Sequence, residues 1–201
     1  MKKIVALLLA LACVFALASC GTPETPDEGT GSASLDPFKT AISTSAPTGA
    51  VITIELENTI STPLVGTFTV TYGADNAVVD YEYDQFLPID PSAPATPDRE
   101  TVTGTATIDK NGNVTGDLNS TVAASALLSY NLDSSKMTYI AEAGTLSATI
   151  TSAHTEGVLG VNIGADVTLT LTVFEGKVVS VTLSYQTASG LAEIVTTYTY
   201  A

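Results

Sequence analysis

The stretch Val167-Thr168-Leu169-Thr170-Leu171-Thr172-Val173 alternates an apolar residue with a threonine at every step. Successive side chains of a β-strand point to opposite faces, so a period of two places the apolar residues on one face and the threonines on the other. The same alternation recurs over 67–72 and 179–185. One apolar face and one polar face are typical of an antiparallel sheet that packs on one side and meets water on the other.

Further runs of this kind predict nine strands, separated by turn sequences such as Asn111-Gly112 and Glu175-Gly176. They cover 50–58, 64–73, 76–86, 100–109, 113–118, 144–152, 165–174, 177–187 and 191–200. We therefore predict a mainly β fold, a single antiparallel up-and-down sheet with a short N-terminal helix. Two shapes fit this prediction. One is a curved half-barrel whose concave apolar face is covered by the helix and by 119–143, and the other is a two-sheet sandwich.

Two segments carry helical signals. Asp36-Pro37 suits a helix start, and Phe38, Ala41 and Ile42 follow at the spacing of one helical face, which predicts a helix over about 37–45. The segment 119–143 is open to two interpretations. Small and apolar residues after Ser120 permit a short helix, whereas 139–142 could form a strand.

The N-terminus has the order of a secretory signal. Lys2 and Lys3 precede an apolar run of 15 residues, 4–18, and the small residue Ser19 precedes Cys20. That run is shorter than the ~20 residues that a helix needs to cross a bilayer, so we predict a signal peptide that is removed. The alternative is plain secretion, with Cys20 incidental.

The sequence Leu17-Ala18-Ser19-Cys20 resembles the lipobox of bacterial lipoproteins. The resemblance covers residues 1–21 and implies cleavage before Cys20 and lipidation of its thiol by a diacylglyceryl group, with fatty acyl chains such as palmitate. Two or more acyl chains hold a protein stably at a membrane. The resemblance therefore implies a protein anchored to the cell membrane or the outer membrane, with its domain on the extracytoplasmic side.

This interpretation divides the chain into a signal peptide (1–19), the lipidated Cys20 with a flexible tether (20–35), and one β domain (36–201). Cys13 leaves with the signal peptide, so the domain has no internal disulfide. Loss of Lys2 and Lys3 leaves 5 basic and 21 acidic residues, a net charge of −16. Such a surface repels phosphate backbones, which argues against nucleic acid as a partner.

No motif predicts catalysis, a cofactor or a metal site. Asp109–Asn113 starts like a calcium loop, but Val114 and Ser120 stand where such a loop needs glycine and glutamate. Asp80, Glu82 and Asp84 alternate with apolar residues, as on a solvated strand face. His154 is the only histidine, so no histidine cluster can form. Prolines at every third position of 87–98 predict a stiff surface loop.

A short helix followed by an up-and-down sheet, in a chain with a lipobox, resembles lipid-carrier lipoproteins of the LolA/LppX type over roughly 36–201. This resemblance implies a lipid or another hydrophobic small molecule as the ligand. Bulky residues of the apolar face are the predicted ligand-binding residues, namely Phe68, Tyr72, Leu171, Leu183 and Tyr185. The alternative is a non-catalytic structural or interaction lipoprotein in which these residues are closed core. The oligomeric state is left open by the sequence.

Overall fold

The computed structural model describes residues 34–57, 64–86 and 99–201. Cys20, the signal peptide, the tether before residue 34 and the proline segment 87–98 lie outside the described residues. The described chain forms one ten-stranded antiparallel sheet. Its strands are β1 (Gly49–Leu56), β2 (Leu64–Tyr72), β3 (Asn76–Phe86), β4 (Arg99–Asp109), β5 (Val114–Thr115), β6 (Met137–Glu142), β7 (Thr145–Ile150), β8 (Val167–Phe174), β9 (Lys177–Thr187) and β10 (Gly190–Thr199).

The strand order across the sheet is β5-β4-β3-β2-β1-β10-β9-β8-β7-β6. Strands that follow one another along the chain are neighbours in the sheet, with one exception. The consecutive strands β5 and β6 form the two opposite edges. The first and last strands pair at the centre, with Ile52 opposite Thr196 and Ala50 opposite Tyr198. The predicted curved up-and-down sheet is therefore confirmed, and the strands form one open sheet instead of a two-sheet sandwich. The tenth strand is β6. It lies within 119–143, the segment whose sequence permitted either a helix or a strand.

Three helices occur in the described residues, α1 (Asp36–Thr44), α2 (Ser120–Leu127) and α3 (Thr155–Leu159), with a 3-10 turn at Ser152–His154 before α3. The segment 119–143 thus contains both structures that its sequence permitted, a helix and then a strand. It carries the chain from one edge of the sheet to the other. Within the described ranges, none of the helices has the length and apolar character that a membrane span requires.

Helix α1 begins one residue earlier than predicted. Leu35 occupies the N-cap position and Asp36 is the first helical residue, so Asp36 is not the cap. The Ser34 hydroxyl instead accepts a hydrogen bond of 3.1 Å from the Asp36 main-chain N–H. Leu35, which composition assigned to the tether, is 5 % exposed and belongs to the core. The packed domain consequently starts before Asp36.

The apolar residues of the sheet form rows across its concave face. One row runs from Leu171 through Val181, Thr196 and Ile52 to Phe68, each residue opposite the next on the adjacent strand. All five are buried. On the convex face, the alternate residues of β4 are threonines, as predicted. The alternation in the sequence therefore identifies which side of the sheet carries the core.

Two strands depart from regular alternation. A β-bulge shifts the register beside Thr172 and Val173, where Ser180 and then Val178 are the partners on β9. Val178 is buried and Val179 is the extra residue, so the predicted inward position of Val179 is wrong. Strand β5 is shorter than the predicted 113–118, because Gly116 has a φ of +106°, which only glycine adopts readily.

Candidate functional site

The five predicted ligand-binding residues lie on the concave face, but in different environments. Phe68, Leu171 and Leu183 are 4 %, 0 % and 1 % exposed. Leu171 and Leu183 sit on β8 and β9, in the half of the sheet that α1 covers. Tyr72 and Tyr185 are partly buried. Phe68 borders an open apolar cleft and Tyr72 borders a second hollow, whereas Leu171 and Leu183 are closed core.

Helix α2 closes the centre of the concave face, above β1. At its N-terminus, Asn119 is the cap, and its side-chain oxygen accepts a hydrogen bond of 2.8 Å from the Thr121 N–H. At its C-terminal end, the hydroxyls of Tyr72 and Tyr198 donate to the main-chain carbonyls of Ala126 and Ser125, over 2.5 and 2.8 Å. The last carbonyls of a helix have no partner within it, so the two tyrosines stabilise this end of α2.

The tyrosines beneath α2 are strongly desolvated. Burial raises the pKa of Tyr130 to about 12, and it also raises the pKa of Tyr72 and of Tyr198 well above the usual range. The side chains of Ser125 and Tyr198 lie near the Tyr130 hydroxyl and partly offset the rise in its pKa. That hydroxyl nevertheless makes no well-formed hydrogen bond to any described residue, nor do Ser125 Oγ and Thr196 Oγ1.

An open cleft of about 370 Å³ lies beyond the N-terminus of α2, and we call it the β1–β3 cleft. Its floor is the concave face at the end of β1 and the start of β2, and Leu118 borders it from the segment before α2. Most of its surface is apolar. The residues that provide this surface are Ile54, Leu56, Leu64, Phe68, Tyr83 and Leu118.

Aromatic rings shape one wall of the cleft. The rings of Phe68 and Tyr83 are nearly parallel at 14°, with centroids 6.1 Å apart, and Tyr81 lies 5.8 Å from Tyr83. Gly66 is directly opposite Tyr83 across the β2–β3 pair. A Cβ at Gly66 would lie 2.9 Å from Tyr83 Cβ and 3.1 Å from Phe68 Cε2, closer than normal contact. Gly66 therefore leaves the space that these two rings occupy.

The charged residues on the cleft lining are acidic, namely Asp84 and Asp117. Partial burial raises the pKa of Tyr83, and the carboxylate of Asp117 contributes next to this rise, followed by Tyr81 and Glu100. Asp84 accepts a hydrogen bond of 3.0 Å from Thr101 and lies 4.0 Å from Arg99.

Sequence reasoning missed this cleft, because the cleft is formed by residues from β1, β2, β3 and the segment before α2. The signal in the sequence was a glycine, Gly66, among the large residues of a strand.

Three other hollows lie outside this cleft. One of about 290 Å³ is at the C-terminal end of α2, beside Tyr72, and one of about 370 Å³ lies between Ser34 and the β6–β7 turn. A shallow one of about 590 Å³ lies on the convex face among threonines, Asp80 and Glu82. The hollow beside Ser34 is also mainly apolar, and the β1–β3 cleft differs from it in its place on the concave face beyond the N-terminus of α2.

The motifs that the sequence set aside have local structural roles. Asp80 Oδ1 on the convex face accepts a hydrogen bond of 2.8 Å from Thr105. Asp109 accepts hydrogen bonds from the main chain of Asn111 and from both the main chain and the side chain of Asn113, so it stabilises the β4–β5 turn. His154 is exposed, and its Nδ1 lies 3.1 Å from Thr151 Oγ1. Over the described ranges, no group of three or more acidic, histidine or cysteine side chains is placed to hold a metal ion.

A comparison of the sequence with protein-family models and with curated proteins found no match. The proposal for the function therefore rests on the resemblance of residues 17–20 to a lipobox, on the fold and on the geometry of the cleft.

Proposed function

We propose that this protein is a membrane-anchored extracytoplasmic lipoprotein that binds a lipid or another hydrophobic ligand in the β1–β3 cleft. Cys20 carries the anchor, and no catalytic step is part of the proposal. The single observation that carries the ligand-binding role is an open, mainly apolar cleft of about 370 Å³ on the concave face. Its volume falls at the lower end of the ~300–1,000 Å³ typical of small-molecule sites, which suits one alkyl chain or a compact ring system.

The cleft and the first described residue lie at different ends of the sheet. Leu56 shares a row with Ala192, Tyr185 and Val167, at the end of the sheet where β8 begins. Ser34, where the described domain starts, lies beside the β6–β7 turn, at the end where β8 finishes. The cleft and the attachment of the tether are thus at opposite ends of the sheet.

A second candidate function is a structural or interaction lipoprotein with a closed core. The observation in its favour is the near-complete burial of Leu171 and Leu183 together with the two tyrosine hydrogen bonds that hold α2 in place. In this case the cleft would be an unused surface hollow. The two functions differ in one measurable property, the retention of an apolar molecule.

Native mass spectrometry of the purified mature chain, residues 20–201 with Cys20→Ser, tests the proposal. This chain keeps every residue of the described core. We expect a bound mass of lipid size that organic extraction removes, or uptake of an uncharged alkyl probe by the extracted protein. Leu56→Asn should abolish retention, whereas Leu191→Asn, on the convex face of β10, should leave it intact. Bare protein that takes up no probe would favour the closed-core alternative.

A further inference from the structure

Among the described residues, the lining of the β1–β3 cleft has hydrogen-bond acceptors at its rim but no cation. Its charged lining residues are Asp84 and Asp117, and its other polar side chains are those of Tyr83 and Asn119. The Asn119 oxygen is already used as the cap of α2. Asp117 is exposed and makes no hydrogen bond or ion pair with another described residue. A ligand head group at this rim would therefore meet a free carboxylate.

Arg99 offsets part of this charge through Asp84, but no basic residue of the described chain lies on the cleft lining. Arg99 does not line the cleft, and its guanidinium lies 4.0 Å from the Asp84 carboxylate. Lys136 pairs with Asp133 at 3.4 Å, and Lys177 lies over the ring of Tyr200 at 4.8 Å. Lys39 and Lys110 are on α1 and in the β4–β5 turn, and neither lines the cleft. The described lining of the cleft therefore provides no positive charge for an anionic head group.

We infer that the cleft selects amphiphiles with an uncharged or cationic head group and rejects those with a carboxylate or phosphate head. This inference deepens the proposed function and rests on it. The apolar lining accepts the alkyl part of any amphiphile, so it cannot discriminate between head groups. Discrimination comes from Asp117, because like charges repel more strongly beside an apolar wall than in bulk water. The net charge of −16 expected for the mature chain adds a longer-range repulsion.

The test compares three amphiphiles with the same saturated alkyl chain and an ammonium, an alcohol or a carboxylate head. Each displaces an uncharged, environment-sensitive naphthylamine dye from the mature chain (residues 20–201, Cys20→Ser) at neutral pH. We expect the ammonium and the alcohol to bind about two- to fivefold more tightly than the carboxylate, the range that one exposed charge pair supplies. Raising the salt concentration should reduce the advantage of the ammonium over the carboxylate, because salt screens exposed charges.

Substitutions assign the selectivity to one residue. Asp117→Asn should reduce the difference between the ammonium and the carboxylate, and Asp117→Lys should reverse it. Glu193→Gln removes one negative charge from the convex face of β10 and should leave the ranking unchanged. The exposed position of Asp117 makes both of its variants compatible with folding, which circular dichroism checks.

The outcomes separate the inference from the proposed function. If the carboxylate displaces the dye as well as the ammonium does, or if Asp117→Lys leaves the ranking unchanged, the selectivity is wrong and the cleft remains a ligand site. If none of the three displaces the dye, or the dye itself does not bind, the cleft takes no amphiphile. In that case the proposed function and the inference both fail.

Discussion

The hydroxyl of Tyr198 donates a hydrogen bond of 2.8 Å to the main-chain carbonyl of Ser125. This bond joins the last strand of the sheet to the helix that crosses its concave face. Tyr198 lies opposite Ala50, so the helix is held above the β1–β10 pair that unites the two halves of the sheet. The contact lies at the C-terminal end of α2, and the β1–β3 cleft lies at the other end of the same helix.

Replacement of Tyr198 by phenylalanine should destabilise the domain. The Ser125 carbonyl would lose its tyrosine donor in a buried environment, which costs about 1–2 kcal/mol of the free energy of unfolding. Equilibrium urea unfolding measures this change as a lower midpoint with an unchanged slope.

Tyr130→Phe is the matched control. It removes a hydroxyl that is equally buried but makes no well-formed hydrogen bond to a described residue. We expect a change smaller than that of Tyr198→Phe, and a gain in stability is consistent with the removal of an unsatisfied polar group. An equal loss in both variants would contradict the role assigned to the Tyr198–Ser125 bond.

The buried tyrosines predict a loss of stability at alkaline pH. Burial raises the pKa of Tyr130 to about 12, compared with about 10 in an unfolded chain. The folded state therefore holds its proton where the unfolded state has lost it. The stability is fully present below about pH 10 and falls as the pH rises towards 12. Urea unfolding between about pH 8 and pH 11 should show this decline, and it should be shallower in Tyr130→Phe and Tyr198→Phe. If stability declines in both variants as steeply as in the unsubstituted protein, the decline is caused by other titrating groups.

Gly66→Ala should disturb the cleft and the core together. The new methyl group would lie 2.9 Å from Tyr83 Cβ and 3.1 Å from a carbon of the Phe68 ring, so the strands or the rings must move. Overpacking of this kind costs about 1–3 kcal/mol. Thermal unfolding measures the cost, and the displacement of Tyr83 should also weaken dye binding in the cleft.

Gly157→Ala in α3 provides the comparison for this substitution. Its Cβ would meet mainly the mobile end of Lys136, at 3.3 Å from Nζ, and alanine favours the helix by up to about 1 kcal/mol. We therefore expect it to be neutral or stabilising. If Gly66→Ala changed the thermal stability no more than Gly157→Ala does, the close packing described around Gly66 would be contradicted.

The strand pattern was predictable because alternation is a local property. Thr168, Thr170 and Thr172 reveal the solvent face without any knowledge of the partner strand, and the hairpin turns place sequence neighbours side by side. The bulge at Val179 was not predictable, because the extra residue has the same apolar character as its neighbour Val178. The pairing of β1 with β10 could not be predicted from a local sequence pattern either, since it joins the two ends of the domain.

The ligand surface was harder to predict for a related reason. Alternation shows that Phe68 and Leu171 share a face, and the cross-strand row confirms it. It does not show what covers that face. Helix α1 covers the β8–β9 half and α2 covers the centre, and among the described residues the corner near Phe68, Leu56 and Leu64 is open. Tertiary coverage, which depends on residues distant in sequence, separates the cleft from the core.

The lipid anchor is predicted to depend on one cysteine of the two in the chain. Cys20→Ala should abolish metabolic incorporation of a palmitate analogue and shift the protein from the detergent phase to the aqueous phase in a detergent partition assay. Cys13→Ala, within the signal peptide, should leave the lipid label unchanged. Labelling that survives Cys20→Ala, or is lost in Cys13→Ala, would contradict lipidation at Cys20.

The central claim is that an apolar molecule occupies the β1–β3 cleft. The most direct measurement is photo-crosslinking of the mature chain (residues 20–201, Cys20→Ser) with an uncharged alkyl diazirine, followed by peptide mapping. We expect adducts on the cleft residues of β1 and β2 and near Leu118, which excess unlabelled alcohol prevents and Leu56→Asn reduces. Adducts spread evenly over the surface, or confined to the hollow beside Ser34, would contradict the claim and favour a closed-core structural role.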